Sequence, residues 1–248
     1  MMDDLLIIGG LVPSLIVDQA DLPEGTDAHV GTMDLDVGLQ LALLDEGRYR
    51  KLTERLRDAG FEMDKNDDGN TTRQRWAITG PGTVTVDFLI PPSRDDDRGG
   101  KLRDIEPDFA AIIAPGLRCA FRDRKQVSLD GRTLFGEKAT RNVWVCDAGA
   151  YVVLKALAFD SRGENKDAYD LFYVIRNYGT GIDEVATKLR PLLDDGEAQK
   201  AVDVLNRDFM DPESVGPRRV AEFVGGGPDE DIQADVVGFV ADLLRKLR

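Results

Sequence analysis

Thr32-Met33-Asp34-Leu35-Asp36-Val37-Gly38-Leu39-Gln40-Leu41 alternates: Met33, Leu35, Val37 and Leu39 fall on one side, Thr32, Asp34, Asp36 and Gly38 on the other. A period of two marks an extended strand with one buried face, so the stretch predicts a strand whose apolar side enters a core. Residues i and i+2 point the same way, which sets the carboxylates of Asp34 and Asp36 side by side. Adjacent carboxylates repel and are best tolerated with a cation between them. Magnesium takes carboxylate oxygens and keeps its other positions for water and phosphate. An Asp-x-Asp pair alone reads more often as a solvated strand face.

Upstream, Leu5–Ile8 is a short apolar run that stops at Gly9-Gly10, a strand followed by a turn. Leu11–Val17 then reads as the first turns of a helix, with Pro13 near its start. Glycines between a strand and a helix let the backbone approach a phosphate closely, and a helix start offers free N–H groups. A plain tight turn is the other reading. Asp18–Gly31, with Pro23 and Gly25, is a polar loop.

Downstream, Arg48–Ala59 has helical periodicity and closes on Gly60. Phe61–Met63 begins a strand and Asp64–Thr71 is a polar turn. Arg73–Ile78 and Val84–Ile90 read as antiparallel strands joined through Gly80-Pro81-Gly82. Asp87 is an isolated acid inside the second of them. A buried, unpaired carboxylate is costly, so Asp87 requires a partner, a metal ion or a salt bridge. Pro91-Pro92 ends that strand, and Ser93–Gly100 is a charged loop. Ile105–Ala114 reads as a short helix, and Arg118–Phe121, Gln126–Leu129 and Val143–Cys146 as short strands.

From Asp147 the pattern turns helical. Asp147 caps a helix to about Phe159, Asn165 opens another to about Tyr178, and helices near Ile182–Leu192, Ala198–Asp208 and Ile232–Leu247 follow. Gly225-Gly226-Gly227-Pro228 reads as a flexible joint. The expected fold is therefore α+β: a mixed sheet with flanking helices over 1–146, then a helical domain over 147–248 that completes the active site.

The 248 residues, 42% hydrophobic and 31% charged, are those of an ordinary globular chain. A net charge of −14 argues against broad, nonspecific nucleic-acid binding. No apolar run approaches the roughly 20 residues of a membrane span. The start carries Asp3 and Asp4 where a signal peptide is basic, so a cytoplasmic protein without a membrane partner is expected. Cys119 and Cys146 lie far apart and read as reduced, buried thiols. With His29 the only histidine, neither a zinc site nor a Ser–His–Asp triad is indicated.

A Gly-Gly turn, an Asp-x-Asp strand and a third Asp on a later strand, in that order, resemble the nucleotidyltransferase superfamily of the DNA polymerase β type. The stretch from Gly10 to Asp34 is longer than in that family, which implies an inserted loop over 18–31. Leu154-Lys155-Ala156-Leu157-Ala158, Arg162 and Lys166-Asp167-Ala168-Tyr169-Asp170-Leu171 resemble the helical signature of the AbiEii/AbiGii group of nucleotidyltransferase-like toxins. The matching segments cover roughly residues 5–40, 84–90 and 150–178.

The resemblance implies transfer of a nucleoside monophosphate from a nucleoside triphosphate to an acceptor hydroxyl, on RNA such as a tRNA 3′ end or on protein. It also implies a type IV toxin with an antitoxin protein as partner. Two Mg2+ ions would be held by Asp34, Asp36 and Asp87, with Asp87 also taking the acceptor proton. Gly9, Gly10, Lys155 and Lys166 would hold the triphosphate, Thr32 phosphate or ribose, and Asp167 or Asp170 would orient the lysines. By spacing alone, Lys166, Asp167 and Asp170 share a helix face and read equally as a surface ion-pair cluster, while Tyr169, Leu171, Phe172 and Ile175 read as core.

Arg118, Arg122, Arg124 and Lys125 around Phe121 read either as a nucleic-acid contact or as scattered ion pairs. Two further readings stay open. One is a small-molecule enzyme of the aminoglycoside nucleotidyltransferase kind, suited to the acidic charge. The other is a non-catalytic nucleotide- or partner-binding domain.

Overall fold

The computed structural model describes residues 4–20, 22, 26–40, 46–66, 68–80, 82–133 and 136–248. Asp3, Pro23, Gly25, Leu41 and Pro81, used above, lie outside them. Among the described residues nine strands form one mixed sheet: β1 (Leu5–Ile8), β2 (Asp34–Leu39), β3 (Glu62–Lys65), β4 (Thr71–Thr79), β5 (Thr83–Ile90), β6 (Leu102–Glu106), β7 (Phe109–Ile113), β8 (Arg124–Arg132) and β9 (Lys138–Cys146). The spatial order is β3-β4-β5-β2-β1-β9-β8, with β7 on the end of β5 and β6 on β7. β1 runs antiparallel to β2, whereas β2–β5 and β1–β9 are parallel. The helices are α1 (Val12–Ile16), α2 (Glu46–Asp58), α3 (Leu117–Arg122), α4 (Ala148–Arg162), α5 (Asn165–Asn177), α6 (Ile182–Leu189), α7 (Gly196–Asp208), α8 (Val215–Gly225) and α9 (Glu230–Leu247). The α+β fold with a mixed sheet, expected from the alternating and helical periodicities, is the fold observed.

The alternation of β2 decides which side of the sheet carries chemistry. Leu35, Val37 and Leu39 join Val86 and Phe88 of β5 and Tyr49, Leu52 and Leu56 of α2 in one apolar cluster. The opposite face, bearing Asp34, Asp36 and Gly38, looks toward α3 and α4. There Gly38 is pressed so closely that a Cβ would lie 2.8 Å from Leu117 Cδ1. On this side Leu6, Ile8, Val12, Leu117 and Val145 share a second cluster with the helices that follow residue 147.

α4 is the central helix of that layer. Asp147 caps it by accepting from the Ala148 N–H, and is itself held by the Tyr178 hydroxyl at 2.6 Å and Lys188 Nζ at 2.7 Å. Gly163, at φ 65°, ends the helix in the left-handed conformation that glycine adopts without strain.

Several expectations are corrected. Ile105–Ala114 is the β6–β7 hairpin, turning at Pro107-Asp108. A short apolar run does not distinguish buried strand from helix, and the proline was the discriminating signal. Arg118–Phe121 is helical: α3 starts after Gly116 at φ 82° and buries Leu117, Cys119 and Ala120. The helix expected over Leu11–Val17 shrinks to the five residues of α1, preceded by a 3-10 turn over Gly9–Leu11. β3 extends to Lys65, into the expected polar turn. α8 was not anticipated, and it takes up Gly225 of the expected joint. Both cysteines are free and buried, and burial pushes the Cys119 thiol up to about 12. No helix among the described residues is long and apolar enough to cross a membrane.

Gly149 marks the closest approach of α4 to α6, where a Cβ would lie 2.5 Å from the Lys188 carbonyl carbon. Backbone cannot yield as a flexible side chain does. Gly149→Ala is expected to cost about 2 kcal/mol of stability, read from the urea midpoint, and an unchanged midpoint would contradict this packing.

Candidate active site

The parallel register of β2 and β5 seats Asp36 beside Asp87 and Asp34 beside Thr85, all on the helix-facing side. The Thr85 hydroxyl donates to Asp34. One strand further, Arg75 of β4 stands opposite Asp87 and donates from Nε to Oδ1 at 2.9 Å and from Nη2 to Oδ2 at 2.6 Å. On the other flank Ile8 of β1 is opposite Asp36, and Gly9 follows at φ 75°. A Cβ on Gly9 would lie 1.8 Å from Asp36 Oδ2, so the carboxylate rests directly on the bare α-carbon. A Cβ on Gly10 would lie 3.3 Å from both Lys166 Nζ and Thr32 Cγ2. Gly9, Gly10, Thr32, Asp36 and Lys166, from three separate stretches of sequence, thus meet at one place.

Asp36 is pushed up to about 6, chiefly by burial and then by the charges of Asp87 and Asp34, against the attraction of Lys155 and Arg162. Three carboxylates, Asp34, Asp36 and Asp87, thus stand on this part of the sheet, and the Arg75 guanidinium is paired with one of them.

The helix side is organised around Asp170 on α5. Lys155 Nζ donates to Asp170 at 2.7 Å and to Asp167 at 3.0 Å. Lys166 Nζ reaches Asp170 at 2.9 Å, and Arg162 Nη2 reaches Asp167 at 2.8 Å. Burial opposes the charge on Lys155, yet Asp170 and Asp167 outweigh it and hold the ammonium above its ordinary value. Lys155, expected to face the triphosphate, has a side chain only 7% exposed and sits inside the ion cluster. The outward cations are Lys166, at 36%, and Arg162, at 59%.

Three participants were not foreseen as site residues. His29 is one: its Nδ1 accepts from the Gly31 N–H at 3.0 Å, which leaves the ring hydrogen on Nε2 for Asp170 Oδ1 at 2.9 Å. The ring stacks on Tyr169 and meets the edge of Tyr173, with centroids 5.4 Å and 4.9 Å away. Gln19 Oε1 accepts from both the His29 N–H and the Tyr173 hydroxyl, each at 3.1 Å. The segment before β2 is thereby pinned to α5, and Thr32 beside Gly10. Nothing in the sequence near His29 announces the contact with Asp170, which lies 141 residues further along the chain. Arg75 and Arg162 are the other two. Arg75 was legible only if the β4–β5 register had been aligned.

Arg118, Arg122, Arg124 and Lys125 each have a partner within the chain. Arg118 bonds the Pro92 carbonyl, Arg122 pairs with Asp194, Arg124 lies over the Trp144 ring and Lys125 bonds the Ile16 carbonyl.

No family model and no curated protein matches the chain.

Among the described residues no three acids, histidines or cysteines form a ready metal cage. Magnesium does not require one, since it commonly binds through one or two carboxylates plus substrate phosphate and water. Asp34 and Asp36 have the hard oxygen donors that this ion takes, and Asp87 adds a third once its guanidinium partner is shared. The donor set fits the ion.

Asp170 is held down to about 2. Burial pulls it upward and is outweighed by the His29 hydrogen bond and by Lys155 and Lys166. Its folded value lies below its ordinary value of 3.8, so its contribution is full above that value and fades as pH falls toward 2. Asp170→Asn is expected to cost about 3 kcal/mol at neutral pH by leaving buried cations under-paired. The gap between variant and wild type, followed by urea unfolding, should narrow between pH 4 and pH 2, and a constant gap would count against this ionised cluster.

Proposed function

We propose that the chain is a metal-dependent nucleotidyltransferase that moves a nucleoside monophosphate from a nucleoside triphosphate to an acceptor hydroxyl. One observation carries the reading: the carboxylates Asp36 and Asp87 stand abreast, and Gly9, Gly10, Thr32 and Lys166 meet at their edge. Adjacent carboxylates beside a glycine turn and an outward lysine suit a cation bound together with phosphate.

In this reading Lys166 and Arg162 bind phosphate oxygens, the bare α-carbon of Gly9 makes room for the Asp36 carboxylate, and Gly10 lets Lys166 and Thr32 come close beside it. Asp34, Asp36 and Asp87 would hold magnesium, which supplies charge neutralisation for the attacking and leaving oxygens. The acceptor oxygen attacks the α-phosphorus in line, its proton passes to a carboxylate oxygen of Asp87, and pyrophosphate departs. Asp170, fixed by His29 and Lys155, holds Lys166 in position. α1 is too short to contribute a helix dipole, so the Gly9-Gly10 turn acts through close approach alone.

RNA as acceptor, and action in the cytoplasm as a toxin restrained by an antitoxin protein, rest on the likeness of the α4–α5 segment to the AbiEii/AbiGii group. A second reading, a small cationic acceptor, is favoured by the net charge of −14 and by the pairing of residues 118–125 within the chain.

The test is incubation with magnesium, total RNA and each α-labelled nucleoside triphosphate. Label is expected in RNA with the wild type, and Asp36→Asn should reduce the rate at least about 100-fold. Gly9→Ala, which drives a methyl into the Asp36 carboxylate, should lose activity to a similar degree while keeping a wild-type circular dichroism spectrum. Equal labelling by wild type and Asp36→Asn would overturn the assignment. Label on an aminoglycoside-like polyamine instead of RNA would select the second reading.

A further inference from the structure

Arg75 spans both oxygens of Asp87 in the planar, two-point arrangement that a guanidinium makes with a carboxylate. Asp87 is 6% exposed, so without a cation it would be a buried uncompensated charge. The Arg75 side chain, by contrast, is 39% exposed. Its strand is the neighbour of β5, and its direct register with Asp87 turns the guanidinium toward the same sheet face as Asp36. The order across the sheet is thus Asp36, Asp87, Arg75: two carboxylates and one cation that can reach solvent. A divalent ion bound to Asp87 would lie within a few ångströms of that guanidinium, and two such charges repel.

We propose that Arg75 is the resident counter-ion of Asp87 and gives way to the incoming divalent cation, passing to a phosphate of the nucleotide that arrives with it. The guanidinium that matches a carboxylate at two points matches a phosphate equally well, so the displaced arginine does not go unpaired. The consequence is coupling. Metal alone binds weakly, because it must displace Arg75 into water, and metal with triphosphate binds well, because Arg75 gains a partner. Asp87 is never left bare in the buried sheet, and the site is discouraged from loading metal in the absence of substrate. The inference rests on the nucleotidyltransferase reading and specifies how its third carboxylate is managed.

The experiment is titration of the full chain with Mn2+ alone, following free Mn2+ by electron paramagnetic resonance. The proteins are wild type, Arg75→Gln, Arg75→Lys, Asp36→Asn and the double variant Arg75→Gln/Asp87→Asn. Arg75→Gln is expected to bind Mn2+ about tenfold more tightly than wild type, a gain of about 1.4 kcal/mol. The double variant should lose that gain, and Arg75→Lys, which keeps the charge, should stay near wild type and guard against a folding artefact. An Arg75→Gln affinity equal to or below that of wild type, with Asp36→Asn abolishing binding, overturns the role of Arg75 and leaves the carboxylate site standing. No Mn2+ bound by wild type or Arg75→Gln removes the metal site itself, and both proposals with it.

Discussion

Asp170 is ionised at 0% exposure, and much of the molecule is arranged to make that tolerable. Transfer of a carboxylate out of water costs several kcal/mol unless donors surround it. Here they come from three parts of the chain: Lys155 from α4, Lys166 from α5 itself, and His29 from the segment that leads into β2. None of the three can move far without leaving the others unbalanced. The cluster therefore fixes the helical layer against the start of β2, and with it the distance between Lys166 and the glycine turn after β1.

The sheet presents the opposite condition. Asp36 and Asp87 are forced abreast by the β2–β5 register, and only Asp87 has a dedicated guanidinium. Asp36 lies against Gly9 with burial and two like charges working against its ionisation. The helix side is thus a fully paired ion network, and the sheet side is one in which Asp87 alone has a guanidinium partner. A structural charge cluster would be expected to compensate both. Under the proposed function, that asymmetry would suit the sheet side to a cation and the outward Lys166 and Arg162 to phosphate. The Asp147 cap, with Tyr178 and Lys188 around it, shows the contrasting case, in which the buried acid has all its partners and only holds α4 in place.

The elements that were legible were those with a strong local period. β2 was read from its alternation, β4 and β5 from their apolar runs and the glycines between them, and α4 and α5 from Asp147 and the helical spacing beyond it. Ile105–Ala114 failed because an apolar run of that length satisfies either structure, and α8 because its small polar-rich start hides the buried stripe of Val220 and Ala221. Lys155 was legible as part of this region, but its burial between Asp167 and Asp170 was not. Its spacing from Lys166 says that both belong to the same region, not which of them reaches solvent.

The sequence by itself determined that Asp34 and Asp36 share a strand face, that Asp87 needs a partner, and where the chain passes from sheet to helices at residue 147. Those properties follow from side-chain direction and burial cost, which are local. The tertiary structure alone decided that Asp36 and Asp87 are neighbours, that Arg75 is the partner of Asp87, that His29 closes on Asp170, and that Lys155 lies inside while Lys166 faces out. Coulombic and hydrogen-bonding partnership depends on separations of a few ångströms, and those are set by strand register and helix packing between residues distant in the chain.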